Sequence, residues 1–237
     1  MRQRSHAGHL LVVVPAHDEE ERIAATLASV AAARRCLPPS VSSCVVVVAD
    51  ASSDATAHIA GLMRRPGDLV VETAHGCVGL ARRAGTHRGL ASSPCGPQAT
   101  WIASTDADTV VPPDWLVGHL RAARAGFVGL AGVVDLAAHE ADGRTLARFR
   151  ASYAANRDGS HAHVHGANLG VRADAYLAAR GWGALATGED HDLWRRVQQV
   201  GPTLATAAVR VMTSARRIGR APAGFAADLA ALDAAVA

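Results

Sequence analysis

Apolar and polar positions alternate in blocks along the first half of the chain. Residues 9–14 give a strand signal whose aliphatic run is 10–14, followed by Asp18, Glu19, Glu20 and Glu21, then by Ile23, Leu27 and Val30 at i, i+4 and i+7 on one helical face. This order predicts a strand, a loop, and a helix with acids in its first turn. Residues 41–49 predict a second, β-branched strand, ended by Asp50-Ala51-Ser52-Ser53-Asp54 and followed by a helical stretch through 58–65. A third short strand over 69–72 leads into a helix over 76–90. A fourth strand, 100–104, ends at Thr105-Asp106-Ala107-Asp108. Aliphatic strands alternating with helices imply a parallel sheet, a Rossmann-like half of about one hundred residues.

Beyond Pro112-Pro113 the periodicity loosens. A helix is predicted over 115–125 and a strand near 127–134, then a polar, His-rich segment from 139 to 165 suited to ligand-binding loops. Leu193, Val197 and Val200 restore helical spacing, and 208–212 gives one more strand signal. In the tail, Phe225, Leu229, Leu232 and Val236 share one face with Asp228 and Asp233 opposite, which predicts a C-terminal helix over 221–237 packed on the domain. That face lacks the cations of a membrane-surface helix. No internal repeat or low-complexity linker interrupts the pattern.

Composition narrows the class. At 237 residues, with 49% hydrophobic and 19% charged positions, the chain is too apolar for disorder and too mixed for a membrane bundle. All 24 residues of the Lys+Arg count are Arg, and a scattered net charge of +3 does not make a nucleic-acid stripe. No apolar run approaches the roughly 20 residues that cross a bilayer. Arg2 and Arg4 before residues 10–14 imitate a secretory leader, but that apolar run is too short for one. Cys36, Cys44, Cys77 and Cys95 have no Cys-x-x-Cys spacing and make no disulfide framework, so a cytoplasmic location is expected.

Candidate chemistry sits at the strand ends. In open α/β sheets ligands bind outside the carboxyl ends of the strands, and the clusters at 15–20, 50–54 and 106–108 all fall there. Any one of them is ordinary loop polarity; three would converge on one crevice. No Gly-x-Gly-x-x-Gly is present, which argues against the usual dinucleotide site. Asp106 and Asp108 would point to one side of an extended chain, a pair of hard oxygen ligands suited to Mg²⁺ or Mn²⁺. Asp190, in Gly188-Glu189-Asp190-His191-Asp192, opens a helix whose dipole keeps a carboxylate ionised, as a general base requires. Asp192 is placed to pair Arg195 or Arg196.

Taken in order, Val12-Val13-Val14-Pro15-Ala16-His17-Asp18-Glu19-Glu20, Val48-Ala49-Asp50-Ala51-Ser52-Ser53-Asp54-Ala55-Thr56, Asp106-Ala107-Asp108 and Gly188-Glu189-Asp190-His191-Asp192-Leu193 resemble the family 2 glycosyltransferases of the GT-A fold. The matches extend from about residue 9 to 200. The resemblance implies one GT-A-like α/β domain over 1–237, a mixed sheet flanked by helices, with residues 1–110 binding nucleotide and 111–220 binding acceptor. It implies an inverting hexosyltransferase that uses a nucleoside-diphosphate sugar, a divalent ion (Mn²⁺ or Mg²⁺), and a small-molecule, lipid or glycan acceptor.

Carried onto this chain, the resemblance places Pro15, Ala16, Asp18, Glu19, Asp50, Arg82 and Asp106 around the nucleotide sugar, with Asp50 on the base or ribose. Asp106 and Asp108 hold the metal, Asp190 is the base, and Gly166, Asn168 and Glu189 are on the acceptor side. The chain departs from the family where Asp18 replaces an Asn, Ala49 the first of two aspartates, and Arg83 another Asn. Some relatives supply a late His to the metal. None follows His191 here, and Arg216 or Arg217 is expected to contact the diphosphate directly. Two other readings compete: a zinc hydrolase using His161, His163 and His165, whose spacing shares one face of a strand, and a silent nucleotide-sugar binder. A nucleotidyltransferase would carry a basic, Gly-rich loop after the first strand, where this chain is acidic.

Overall fold

In the computed structural model, residues 7–138, 140–152, 156 and 158–216 are described. The elements in chain order are β1 (His9–Ala16), α1 (Ile23–Arg35), β2 (Ser42–Asp50), α2 (Thr56–Met63), β3 (Leu69–Thr73), α3 (Val78–Ala91), β4 (Thr100–Ser104), β5 (Thr109–Val110), α4 (Trp115–Arg124), β6 (Gly129–Leu136), α5 (Gly143–Ser152), β7 (Leu169–Arg172), α6 (Ala173–Ala178), α7 (Glu189–Gln198) and β8 (Thr203–Thr213).

One eight-stranded mixed sheet runs β3-β2-β1-β4-β7-β6-β8-β5. The first four strands in that order are parallel, β7 runs against β4 and β6, and β8 is parallel to β6. The aliphatic blocks become the central strands because both faces of the sheet are covered. Leu10, Val12 and Val14 face a layer holding Ile23 and Val30 of α1 and Trp115, Leu116 and Leu120 of α4. Leu11 and Val13 face the opposite layer, with Ala81 of α3 and Leu193, Trp194 and Val197 of α7. Alternate residues of one strand thus feed two cores.

This topology sets the crevice. The carboxyl ends of β1, β2 and β4 lie at one sheet edge, and β7, being antiparallel, begins at that edge, with Leu169 opposite Ser104. β8 also ends there, with Thr213 opposite Thr109 of β5. Five chain segments far apart in sequence therefore meet.

Several expectations are corrected. The helix after β1 begins only at Ile23, with no acid in its first turn. Asp18–Glu21 belong to the preceding loop. The chain at 106–108 turns rather than extends, with the Thr109 N–H donating to the Asp106 carbonyl at 3.2 Å. The segment read as loops contains α5, and β5, β7 and α6 carried no sequence signal. The C-terminal helix expected at 221–237 lies outside the described residues.

Candidate active site

Two loops are laced together on the donor side. The Asp18 Oδ1 accepts from the Ser53 N–H at 2.7 Å, the Glu19 N–H donates to Thr56 Oγ1 at 2.7 Å, and Glu20 and Asp54 each accept a backbone N–H from the other's loop. The Ser53 N–H lowers the Asp18 pKa and keeps that carboxylate ionised. Asp18 adopts a φ of 50° to make this turn. Pro15 and Ala16 end β1 as buried residues beneath these loops.

Asp50, at the end of β2, is held by three donors. Its Oδ1 accepts from Thr73 Oγ1 at 2.8 Å and the His75 N–H at 2.7 Å, and its Oδ2 accepts from the Cys77 N–H at 2.9 Å. Burial works against ionisation, but these donors outweigh it and hold the pKa below the usual carboxylate range. Asp50 is buried, and its carboxylate fastens the loop leading into α3.

Across the crevice, one guanidinium organises the acids. Arg82, on the sheet-facing side of α3, is buried. It donates through Nη1 to Glu189 Oε1, through Nη2 to Asp106 Oδ1, and through Nε to Ser104 Oγ at 3.2 Å. The Trp182 ring lies 5.3 Å from its Cζ. Burial disfavours its charge, but Asp106 and Glu189 more than compensate and raise its pKa. Glu189 is buried and points at Arg82; burial raises its pKa against the pull of Arg82. Gly166 has a steric reason to lack a side chain, since a Cβ there would lie 2.3 Å from Arg82 Nη2.

Asp190 is half-buried at the start of α7. Its Oδ2 accepts from the Gly166 N–H at 2.8 Å and its Oδ1 from the His191 N–H at 2.7 Å. Two fixed donors orient the carboxylate. Asp192 pairs with Arg195 and Arg196 along the helix, as the spacing predicts.

Asn168, expected on the acceptor side, is built into the core. It is fully buried. Its Nδ2 donates to the carbonyls of Val133 at 2.9 Å and Val209 at 3.0 Å, and its Oδ1 accepts from Trp115 Nε1 at 2.9 Å. The β6–β8 register shifts between Gly132 and Val133, and the Asn168 amide satisfies carbonyls beside that irregularity.

Asp108 is the most constrained acid. Its side chain is 12% exposed, and burial, reinforced by neighbouring Asp106, pushes its carboxyl up to about 6 despite Arg216 beside it. A crowded pair of carboxylates suits a hard divalent cation. No three His, Cys, Asp or Glu side chains among the described residues form a ready-made cage. The residues thus fit an ion that takes two carboxylates from the chain and further oxygens from a diphosphate.

The histidine ladder does not support zinc hydrolysis. The rings of His161 and His163 stack at 5.9 Å, and those of His163 and His165 at 6.3 Å, so they lie like plates instead of aiming nitrogens at one point. Arg216 reaches the crevice but meets carboxylates, with Nη2 2.5 Å from Glu19 Oε1 and 3.0 Å from Asp108 Oδ2. Arg217 lies outside the described residues.

Sequence reasoning missed Glu140, Ser104 and Trp182. Glu140 accepts from Arg22 Nη1 at 2.6 Å and from Ser214 Oγ at 2.6 Å, tying the end of β8 to the loop after β1. Trp182 gives no local signal. Arg82 has one, as a lone cation on a stripe of Gly79, Gly85, Thr86 and Gly89.

Solved structures share this architecture. The S. aureus TarS fragment 1–349 with UDP-GlcNAc matches with a TM-score of 0.66 at 15% identity, over 90% of this chain and 60% of that one. The mannosyltransferase PcManGT from Pyrobaculum calidifontis, with GDP-Man and Mn²⁺, matches at 0.62 and 18% identity, over 89% and 58%. A mycobacterial protein matches at 0.54 and 18% identity, over 87% and 65%. The chain thus spans about three-fifths of the length of these structures. No curated protein matches it by sequence. At such identities the likeness establishes the fold, that of the GT-A glycosyltransferases. The family model described as "Glycosyltransferase like family 2" matches residues 7–228, nearly the entire chain. The chain belongs to glycosyltransferase-like family 2.

Proposed function

We propose that this chain transfers a hexosyl group from a nucleoside-diphosphate sugar to an acceptor hydroxyl, with inversion at the anomeric carbon. One observation carries the reading. Arg82 joins Asp106, at the end of β4, to Glu189, the residue before Asp190, so donor-side acids and candidate base surround one guanidinium. The family match and the donors bound by the neighbours, UDP-GlcNAc in TarS and GDP-Man in PcManGT, support the same chemistry.

In this reading the chain is a single domain, with the loops after β1 and β2 receiving the nucleoside and the 111–220 half the acceptor. Pro15, Ala16 and Asp18 line the nucleoside side. Asp106 and Asp108 would hold Mn²⁺ or Mg²⁺ together with the donor diphosphate, where such an ion would supply positive charge to the leaving group. Asp190 accepts the proton of the acceptor hydroxyl as its oxygen bonds to the anomeric carbon and the bond to the diphosphate breaks. Attack from the face opposite the leaving group inverts the centre. The four free cysteines support a reducing, cytoplasmic setting. No helix among the described residues is long and apolar enough to cross a membrane.

The test is a thermal-shift panel of UDP-, GDP- and dTDP-sugars with and without Mn²⁺. A donor at 100 times its Kd stabilises the fold by about 2.7 kcal/mol. One donor class raising the midpoint, further with Mn²⁺, is the expected result. No shift with any donor would overturn the reading.

A further inference from the structure

β8 delivers a cation onto the acids assigned to the metal. Arg216 Nη2 lies 2.5 Å from Glu19 Oε1 and 3.0 Å from Asp108 Oδ2, so one guanidinium nitrogen bridges two carboxylates whose side chains are 5% and 12% exposed. The backbone holds it there. The Ser214 N–H donates to the Asp108 carbonyl at 3.2 Å, and the Ala215 N–H donates to Glu140 Oε2 at 3.1 Å. Glu140 is itself clamped by Arg22 and Ser214. Asp106 leans the other way, onto Arg82.

A divalent ion on Asp108 would sit within a few ångströms of the guanidinium. Two cations at that separation repel by several kcal/mol at an effective dielectric of about 20, and they compete for one carboxylate. We propose that Arg216 is a resident counter-ion that competes with the divalent metal for Asp108, so that metal entry requires the guanidinium to leave. The proposal rests on the reading of Asp106 and Asp108 as the metal-holding pair. Arg82 pairs with Asp106 at one end of the crevice and Arg216 with Glu19 and Asp108 at the other, so each of these acids has a cationic partner. It also makes metal and nucleotide cooperative, since an incoming diphosphate gives the displaced guanidinium a new anion. An arginine here would act as a placeholder for the metal.

Equilibrium titration of the chain with Mn²⁺, following free Mn²⁺ by electron paramagnetic resonance, tests this without an activity measurement. Arg216→Met should bind Mn²⁺ roughly tenfold more tightly than the parent when nucleotide is absent, with Arg216→Lys in between. Adding UDP or GDP should narrow the gap. Arg216→Gln is read alongside, in case the methionine variant does not fold. Equal or weaker Mn²⁺ binding by the folded variants, with the parent still binding, overturns the competition and leaves the metal reading standing. Failure of every form to bind Mn²⁺ with nucleotide, or parent binding that Asp108→Asn does not weaken, overturns the metal reading and this inference with it.

Discussion

Arg82 and Glu189, 107 positions apart in sequence, form an ion pair between side chains only 4% and 6% exposed. Their contact joins α3 to α7 across the carboxyl ends of the central strands. Two charges withdrawn from water in this way are stable only as a set, and Asp106 and Ser104 complete the set around the guanidinium.

Removing the cation should therefore be severe. Arg82→Met strands Glu189 and Asp106 beside each other, and breaking a buried pair from one side costs about 3–5 kcal/mol. Urea unfolding of the two proteins at pH 7 measures it. Glu189→Gln should lose less, because Asp106 still pairs the arginine. Equal losses would show that Asp106 contributes nothing to the network.

Gly166 supplies a steric test of the same network. A Cβ there falls 2.3 Å from Arg82 Nη2, whereas one at Gly143 meets nothing within 4 Å. Gly166→Ala should displace the guanidinium and lower the melting temperature, and Gly143→Ala should not. A crowded side chain typically costs about 1–3 kcal/mol. Comparable melting temperatures for the two variants would remove Gly166 from the site's design.

Asn168→Ala separates a core strut from an acceptor contact. Its loss leaves the Trp115 indole N–H and two carbonyls unpaired in the core, each worth about 1–3 kcal/mol. Stability should fall by several kcal/mol. At a temperature where the variant remains folded, its KM for acceptor should match the parent's; a selective rise in that KM would restore the acceptor role.

What the sequence revealed follows from how local each signal was. β1 and β2 were legible because strands covered on both faces become aliphatic runs, and β4 because Trp101 and Ile102 give a short β-prone stretch; the acids after all three mark the crevice directly. β7 is four residues with an internal glycine, too short to register against its neighbours. α5 is largely polar, with Leu146 and Phe149 as its apolar contacts, so its period was faint. The uses of Asp50 and Asn168 were hidden for another reason. Both are set by long-range partners, the 73–77 loop and the β6–β8 irregularity, which no neighbouring residue announces. The carboxylate partners of Arg216 were hidden as well, because Glu19 and Asp108 lie 197 and 108 positions earlier, a separation that only the sheet topology closes.

Asp108 gives a prediction in pH. Its carboxyl is raised from 3.8 to about 6 by burial and by Asp106. The folded chain then holds a proton that the unfolded chain has already lost, so this group's contribution to stability is full below about 4 and is lost as pH rises through about 6. Other carboxylates with lowered values act oppositely, so the readout is a difference. In EDTA, Asp108→Asn should gain stability relative to the parent as pH rises from 4 to 6.5, by at most about 3 kcal/mol. A difference independent of pH would show that Asp108 ionises normally.

Asp190 decides between transferase and silent binder. Its carboxylate is held by the N–H groups of Gly166 and His191, which leaves lone pairs on both oxygens for an acceptor hydroxyl. An asparagine keeps the size and can keep one of those contacts through its carbonyl oxygen, but it cannot take a proton. Asp190→Asn should bind donor nearly as the parent does, because the proposed donor site is at the β1, β2 and β4 ends. Its turnover should fall by roughly 10² to 10⁴, the usual contribution of a general base. If the carboxylate served only the helix dipole, the change would cost about 0.3–1 kcal/mol of stability and leave transfer intact. Measuring donor affinity, melting temperature and single-turnover rate on one preparation separates the two. Full transfer by the folded variant would remove Asp190 from the mechanism and make its neighbour Glu189 the next residue to test.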